Sequence, residues 1–358
     1  MLMDVNQLQE GFVLQQDVFS LTSKPIARKG TVIEEKHIEI FRAFLVQKVN
    51  VEPFSKAVSA KKKSEQEVAD EKEEKITADS FTEIYNETVK NFQKTFLSWQ
   101  SGVPLDIFYI RKLLFPLLAK ALEEEHYAMD LYKKCKVNEY IYHHSISVSL
   151  LSALIAKKLG FVSGEINQIA LAGLLSDCGM SKIPPAILNK KEVLNEWENK
   201  EVKQHPIYSY QLIKDIPSLK KGTKICVLQH HERMDGTGYP LGIKGDNFHP
   251  FAKIVSFADH YIAMVSPRPF RAGYSPFYVM EELEKYGFGK FDLSVVNVFK
   301  KIFVKYMIGR KVKLSDGTIG KIGFINEKTA SRPLIQVIDS DEIISLEKQN
   351  DLSIKQVF

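Results

Sequence analysis

The spacing of apolar residues predicts helices through the middle of the chain. Between residues 80 and 307, apolar side chains recur every three or four positions, as on the buried face of a helix. Ser80 and Glu83 have the spacing of a capping box and predict the start of the first helix. Its apolar face is far more typical of core packing than of a cofactor site, and it comprises Phe81, Ile84, Tyr85, Phe92, Phe96 and Trp99.

The remaining helices are bounded by residues that commonly bend, cap or end a helix. Proline bends a helix interior, serine caps an N-terminus and glycine ends a C-terminus. The predicted helices cover residues 105–122 with a bend at Pro116, a stretch from before Tyr140 to Gly160, and residues 165–175 with Ser163 as the cap. Further helices are predicted to about Met307, with loops at 183–185 and 236–250.

Both ends of the chain show short apolar segments between turn residues, which predicts strands. Residues 1–53 are predicted to form a small α+β module without a catalytic constellation, with short strands in 11–14 and 24–32 around a Lys-Gly turn, a helix at 34–44 and a closing strand at 49–52. Residues 309–358 are predicted to form a small β unit, for which a barrel is one arrangement, with a first turn at Asp316-Gly317 and strands at 311–314, 318–322, 334–338, 343–346 and 352–357.

Residues 54–79 contain few apolar side chains. Lys61-Lys62-Lys63 is followed by a run rich in aspartate and glutamate. Such a segment buries too little apolar surface to offset the entropy of ordering it, so we expect a solvated linker. Contact of the lysines with nucleic acid or lipid is the less common alternative. The predicted fold is therefore mainly α, with an N-terminal module 1–53, a linker 54–79, a helical bundle 80–308 and a β domain 309–358.

Composition narrows the class of protein. A chain of 358 residues favours two or three folded units, and 44% hydrophobic with 26% charged residues is typical of a globular protein. The net charge of +5 suits an anionic ligand but is too diffuse to indicate DNA binding. Three cysteines without paired spacing indicate free thiols. With no recognisable signal peptide or membrane-spanning run, we expect a cytoplasmic protein.

Polar residues at the ends of apolar segments are the candidates for chemistry. The stretch from His230 to Pro240 places two adjacent histidines before a glycine-rich loop. Asp177 and Asp259 each follow an apolar run, where a carboxylate is costly unless it is paired or bound to a cation. Four imidazoles and two carboxylates suit a pair of iron, manganese or zinc ions that clamps a phosphate. For any one of these histidines, a core or surface role is the alternative. The six residues are His144, Asp177, His205, His230, His231 and Asp259.

These residues and their neighbours resemble the HD-GYP family over roughly residues 130 to 300. The resemblance implies an all-helical bundle and, in active members, metal-dependent hydrolysis of the bacterial messenger cyclic di-GMP. Seven motifs occur in the family's order: His144-Ser145, Leu174-Leu175-Ser176-Asp177, Ile183-Pro184 with Ile187-Leu188-Asn189-Lys190, His205-Pro206, His230-His231-Glu232 with Asp235-Gly236-Thr237-Gly238-Tyr239-Pro240, Ala258-Asp259, and Arg268-Pro269-Phe270-Arg271.

The resemblance implies two metal sites that share one carboxylate, and iron or manganese as one or two bound ions. The first site would use His144, position 176, Asp177 and Asp259. The second would use Asp177, His205, His230 and His231, and all four are present. The implied ligand contacts are Gly238, Tyr239, Pro240, Arg268 and Arg271, with a surface salt bridge as the alternative for the two arginines. Five other histidines match no family ligand: His37, His126, His143, His249 and His260.

Four positions depart from the family pattern. Ser176 replaces the histidine of the His-Asp dyad, so Asp177 is the retained member of the catalytic pair. Met180 replaces a lysine expected near the scissile phosphate. Ile262 stands in place of a second acid, and Tyr140 stands where some members place a glutamate for a third metal.

Three hypotheses follow from the match and its departures. A degenerate receptor or adaptor, which binds metal and cyclic di-GMP or a partner, is slightly favoured. An active but divergent phosphodiesterase is the second, and Lys182 could then replace the missing lysine. A phosphohydrolase of another nucleotide is the third. We expect no nucleic acid or membrane partner, while protein partners of the terminal modules and an oligomer stay open.

Limited proteolysis tests the predicted linker. We expect the first cuts between Ser55 and Lys75, because a solvated charged segment is accessible to protease. The fragments would be identified by mass spectrometry. Protection of this stretch would show that it packs as a helix instead.

Overall fold

A computed structural model gives two compact units, Met1–Ala78 and Asp79–Phe358. It describes residues 2–19, 25–34, 37, 38, 41, 46, 48–53, 59–188, 190, 192–268, 271–287, 289–338, 340 and 342–358. The mainly α fold class, with a small N-terminal α+β region and a C-terminal sheet, is confirmed. In the part of the chain that is described, none of the helices is long and apolar enough to cross a bilayer.

The described part of the N-terminal unit contains five short strands. They are β1 (Leu2–Asp4), β2 (Phe12–Leu14), β3 (Val18–Phe19), β4 (Pro25–Ala27) and β5 (Lys48–Pro53). β5 lies between β1 and β2 in an antiparallel sheet, and β3 pairs with β4. Leu14, Phe41 and Val51 are buried in its core. Within 24–32, β4 is followed by a turn at Lys29-Gly30 and by Val32, which bridges to Val13, in agreement with short strands around a Lys-Gly turn. The predicted helix at 34–44 lies mostly outside the described residues.

The described residues that follow contain twelve α-helices. They are α1 (Ser59–Gln100), α2 (Ile107–Glu123), α3 (His126–Asp130), α4 (Tyr140–Lys158), α5 (Ser163–Leu175), α6 (Pro185–Leu188), α7 (Glu196–Val202), α8 (His205–Ile213), α9 (Lys221–Gln229), α10 (Pro250–Val265), α11 (Pro276–Tyr286) and α12 (Leu293–Met307). Asp106 and Asp292 cap α2 and α12 by accepting backbone N–H bonds. Asn195 begins α7 with a complete capping box.

Two predicted helix starts are wrong. α1 begins at Ser59, so Ser80 and Glu83 lie inside the helix and do not cap it. Lysine and glutamate have good helix propensity, and a lack of apolar residues therefore does not stop a helix. Ser163 is the first residue of α5 and not its N-cap. The N-cap is Val162, whose side chain makes no capping hydrogen bond. The aromatic face of α1 is buried as predicted, including Phe81 and Trp99.

The core of the larger unit is built on α4 and α5. Almost every residue of α4 from Tyr142 to Ala156 is buried, including the serines. The Ser149 hydroxyl donates to the Ala170 carbonyl of α5 at 2.7 Å, which satisfies a buried polar group between the two helices. Because the helices pack so closely, the start of α4 and the end of α5 face a common site.

The C-terminal strands form one antiparallel sheet. They are β6 (Lys311–Leu314), β7 (Ile319–Phe324), β8 (Leu334–Val337), β9 (Ile343–Ser345) and β10 (Ile354–Val357), in the order β10-β6-β7-β8-β9. Among the described residues, no pairing joins β9 to β10, so the sheet is open and the barrel arrangement is wrong. Val312, Ile322 and Ile335 share one core with the helices. The domain boundary predicted at residue 308 therefore lies inside a compact unit.

A bidentate ion pair joins the start of the sheet to the helical bundle. Arg310 donates to both carboxylate oxygens of Asp130, at 2.7 and 2.6 Å. Burial opposes ionisation of Asp130, but the bonds from Arg310 outweigh it and lower the pKa of this carboxyl.

Arg310→Met should reduce the free energy of unfolding by about 2 kcal/mol at neutral pH, because it removes both guanidinium donors of a half-buried carboxylate and leaves it only the contact with Lys133. The effect should shrink as the pH falls below about 4, where protonation of Asp130 removes the benefit of its lowered pKa. Urea unfolding at several pH values measures both. Lys305→Met, which removes a 3.5 Å contact of an exposed ammonium with Glu125, is the control and should change little. Equal losses for the two variants would contradict the assignment.

Candidate metal centre and ligand pocket

The turn after α5 places Asp177 against the first residue of α8. Gly179 lies in this turn, and a Cβ there would lie 2.3 Å from the carbonyl oxygen of His205, so only glycine fits. The Gly179 N–H donates to Ser209 Oγ at 2.7 Å, and that hydroxyl donates to the Ser176 carbonyl at 2.6 Å. The turn and α8 are therefore held together by backbone contacts on both sides of Asp177.

Four of the predicted ligands converge beside this turn. One donor atom from each of Asp177, His205, His230 and His231 lies within 4.8 Å of the others. His205 Nε2 lies 3.2 Å and His230 Nε2 lies 3.6 Å from Asp177 Oδ1. The two Nε2 atoms lie 3.2 Å from each other. We refer to these four residues as the complete cluster.

Backbone carbonyls orient the imidazoles of the complete cluster. His205 Nδ1 lies 2.7 Å from the Val202 carbonyl, and His230 Nδ1 lies 2.8 Å from the Val227 carbonyl. When each Nδ1–H donates to its carbonyl, both Nε2 atoms of the neutral rings present lone pairs. Two lone pairs and a carboxylate at these distances repel one another unless a cation lies between them. The complete cluster therefore fits a divalent metal ion.

A second group shares Asp177. His144 Nε2 lies 2.9 Å from Asp259 Oδ1 and 3.6 Å from Asp177 Oδ2. These three residues also form a potential metal site, which we call the incomplete cluster. Asp259 Oδ2 lies 3.4 Å from His231 Nδ1, so Asp259 links the two clusters a second time. The structure thus brings all six predicted ligands together.

Buried charges make this centre strongly polar. Burial opposes ionisation of Asp177, but the imidazoles of His205 and His230, which donate to it when Nε2 is protonated, hold its pKa well below the ordinary value in the metal-free centre. Burial likewise opposes ionisation of Asp259, and nearby His231 and His144 lower its pKa. Burial lowers the pKa of His231, which favours the neutral imidazole that binds metals.

The residues that depart from the family pattern do not add metal donors. The Ser176 hydroxyl donates to the Ala172 carbonyl at 2.7 Å, back along its own helix. Met180 packs against the core, and Ile262 is fully inside it. Lys182 donates to the Trp99 carbonyl at the end of α1, at 3.1 Å. The incomplete cluster therefore keeps three donor residues and gains none.

Tyr140 holds His144 from the side opposite the carboxylates. Its ring stacks on His144 with centroids 5.2 Å apart, and its hydroxyl lies 3.2 Å from His144 Nδ1. Arg268 Nη2 donates to the same hydroxyl at 2.8 Å. Burial raises the pKa of Tyr140, so the phenol stays neutral. A phenol oxygen that accepts from Nδ1–H leaves His144 Nε2 free to face the carboxylates.

The Gly-Tyr-Pro loop is fixed by a buried acid. Glu232 accepts bonds from the N–H groups of three consecutive loop residues, Leu241, Gly242 and Ile243, at 2.6, 3.1 and 3.2 Å. A Cβ at Gly238 would lie 2.4 Å from the Glu232 Cα, so the loop crosses this backbone only with glycine there. The sequence contained Glu232 within a motif, but its position next to His231 gave no signal of this anchoring role.

The loop presents Tyr239 and Pro240 beside the metal centre. Tyr239 stacks on His231 with centroids 4.7 Å apart, and its N–H donates to the His231 carbonyl at 3.2 Å. The aromatic ring thus covers one ligand of the complete cluster.

The two arginines predicted to contact ligand differ in their environment. Arg271 donates to the Ala263 and Met264 carbonyls at 2.8 and 3.3 Å, and so satisfies the C-terminal end of α10. Arg268 lies over Tyr140, and its buried Nε–H has no partner in the described part of the chain. Neither arginine forms a salt bridge with a described acid. Arg268 is therefore the better placed of the two to meet a ligand.

The remaining histidines have structural roles. His143 bonds the Tyr85 hydroxyl through Nδ1 at 2.7 Å, and His249 caps α10 by accepting from the Phe251 N–H. His260 packs on Phe291 with centroids 5.1 Å apart. Burial, together with the charge of Arg233, lowers the pKa of His260 to about 4. These contacts are consistent with the prediction that the three histidines are not metal ligands.

Residues 130–295 match the HD domain family. A cyclic di-GMP phosphodiesterase of Pseudomonas aeruginosa is 28% identical over 239 residues, which cover 67% of this chain and 58% of that protein. Cyclic di-GMP phosphodiesterases of Borreliella burgdorferi and Thermotoga maritima are 28% and 32% identical, over 59% and 54% of this chain and 56% and 55% of those proteins. The chain thus spans little more than half the length of these relatives.

Among solved structures, an HDG"Y"P protein from Bdellovibrio bacteriovorus aligns over 84% of this chain and 98% of its own, with 18% identity and a TM-score of 0.47. The matched domain and the assembled histidines and aspartates define an HD domain protein. Within that class, the motifs and the relatives support an assignment of residues 130–295 to the HD-GYP family.

Metal analysis tests the difference between the two clusters. After anaerobic purification with iron and manganese, we expect one tightly bound divalent ion per chain, because only the complete cluster has its four donors. His205→Ala should weaken this ion at least about 100-fold, whereas His126→Ala, which removes an exposed histidine, should not. Two tight ions would show that the incomplete cluster is strong, and none would show that the complete cluster is not a metal site.

Proposed function

We propose that this protein binds a divalent metal ion and a cyclic dinucleotide of the cyclic di-GMP type, and that it hydrolyses this ligand weakly or not at all. The observation that carries the proposal is the pair of Nε2 atoms of His205 and His230, 3.2 Å apart beside Asp177, an arrangement of donor atoms that fits a divalent ion. The names of the relatives supply the ligand class. Iron and manganese are the proposed ions, because both accept mixed imidazole and carboxylate donors.

The residues of the centre have distinct tasks in this proposal. A bound divalent ion would polarise a phosphoryl oxygen of the ligand. Asp177 fixes the complete cluster relative to the incomplete one, because its two oxygens face different histidines. Tyr239 closes the pocket over His231, and Arg268 directs a free N–H donor toward a phosphate.

Weak hydrolysis follows from what the incomplete cluster lacks. Phosphodiester cleavage by two metals depends on stabilising both the attacking and the leaving oxygen. The Ser176 hydroxyl is bonded to the Ala172 carbonyl, so the first site has one imidazole fewer than the family pattern. Met180 places an apolar side chain where a cation would stabilise charge that develops on the phosphate.

Hydrolysis by a divergent enzyme is the second candidate, and one observation favours it. His144, Asp177 and Asp259 already lie within 4.8 Å of one another without the missing histidine. A carboxylate often orients a metal-bound histidine, and here the Tyr140 hydroxyl has this role for His144. A site with three protein donors and a water is a common catalytic arrangement. Turnover measurements decide between the two candidates.

Substitutions at the two altered positions provide the test. Ser176→His should raise the metal content toward two ions per chain, because it adds an imidazole beside Asp177. Alone, it should restore little turnover of cyclic di-GMP. Adding Met180→Lys should raise turnover by about 10²–10³-fold, since one lost contact to transition-state charge typically costs this much. Ser176→Asn and Met180→Gln are matched controls that add neither a metal ligand of that strength nor a charge.

Wild-type behaviour separates the outcomes. Binding of cyclic di-GMP with negligible turnover, followed by recovery in the double variant, supports the receptor proposal. Robust turnover by the wild type that neither substitution changes would overturn it and support the divergent enzyme. Melting temperatures of all variants check that the buried substitutions leave the fold intact.

A further inference from the structure

A cation covers the tyrosine on the His144 side of the metal centre. The guanidinium of Arg268 lies 4.8 Å from the centroid of the Tyr140 ring, which stacks on His144. His144 in turn contacts Oδ1 of Asp259. Consecutive contacts therefore link a cation, a tyrosine, a histidine and a carboxylate.

The other side of the centre repeats this order. The ammonium of Lys203 lies 5.5 Å from the centroid of the Tyr239 ring, which stacks on His231. His231 contacts the second oxygen of Asp259, Oδ2. Each oxygen of Asp259 thus contacts a histidine that stacks on a tyrosine, and each tyrosine lies next to a cation. The two sets of residues come from different parts of the chain.

Lys203 is free to bind an anion. Its backbone is fixed at the end of α7, where its N–H donates to the Asn199 and Glu201 carbonyls. Its side chain is exposed, and within the described residues no carboxylate pairs with it. An ammonium over an aromatic ring is only weakly held, so a phosphate can take its place as partner. His205 follows two residues later, which ties the position of Lys203 to the complete cluster.

We propose that Lys203 is a ligand-binding residue. Its ammonium contacts one phosphate of a cyclic dinucleotide, and the guanidinium of Arg268 lies on the side of the other phosphate. This inference rests on the proposed function and specifies how its ligand is selected. A cyclic dinucleotide carries two phosphates in one ring, and the centre has one cation next to each of the two tyrosines. Lys203 also supplies positive charge to a pocket in which Met180 replaces the expected lysine. The site therefore discriminates against nucleotides with a single phosphate.

Binding of cyclic di-GMP and of GMP to the metal-loaded protein tests this role. Lys203→Met should weaken cyclic di-GMP binding about tenfold, as expected for one charge-assisted contact near the surface, and GMP binding by less than about threefold. The loss should be smaller at high salt, which screens an exposed ammonium. Lys203→Arg should retain most of the affinity, and the metal content of both variants should equal that of the wild type.

Lys200→Met is the matched control, because Lys200 is an exposed lysine of the same helix. It should bind both nucleotides as the wild type does. Unchanged cyclic di-GMP binding in Lys203→Met, an equal loss for both nucleotides, a loss of metal, or an equal effect of Lys200→Met would each overturn the role of Lys203 and leave the proposed function standing. Failure of the metal-loaded wild type to bind cyclic di-GMP would overturn the proposed function, and this inference with it.

Discussion

The carboxylate of Asp177 is the contact on which the metal centre depends. Its Oδ1 faces His205 and His230, and its Oδ2 faces His144, so it is the only residue common to both clusters among the described residues. The backbone contacts of Gly179 fix the turn that presents it. A buried carboxylate at this position is stable only with cationic or hydrogen-bonding partners on both sides. The contact of the turn after α5 with α8 therefore fixes the position of Asp177 in the centre.

Much of the candidate site could be predicted because metal ligands are few and their types are chemically restricted. His230 and His231 at the end of α9, and Asp177 after a buried helix, were visible from the order of apolar and polar residues alone. The helical core was predictable from its period, as the buried face of α1 shows. The roles of these residues in binding metal stay a prediction, although the geometry brings them together.

The parts that could not be predicted depend on neighbours distant in sequence. The Ser176 hydroxyl turns back to its own helix, which no residue type specifies. Arg268 and Arg271 have the same chemistry, yet one caps α10 and the other lies over Tyr140. The start of α1 was missed because charged residues form helices as readily as they form linkers. In each case the partner, and not the residue itself, determines the role.

Charge balance explains why the altered positions occur together. The family pattern has acids at the positions of Tyr140 and Ile262 and a lysine at the position of Met180, and here all three are uncharged. Only Asp177 and Asp259 remain as carboxylates in the two clusters, so one divalent ion neutralises them. In the proposed function, a second ion at the incomplete cluster would lack one imidazole donor and would also add positive charge to a buried site. An added imidazole would offset the first deficit and a ligand with two negative charges the second, so metal and ligand binding would be coupled.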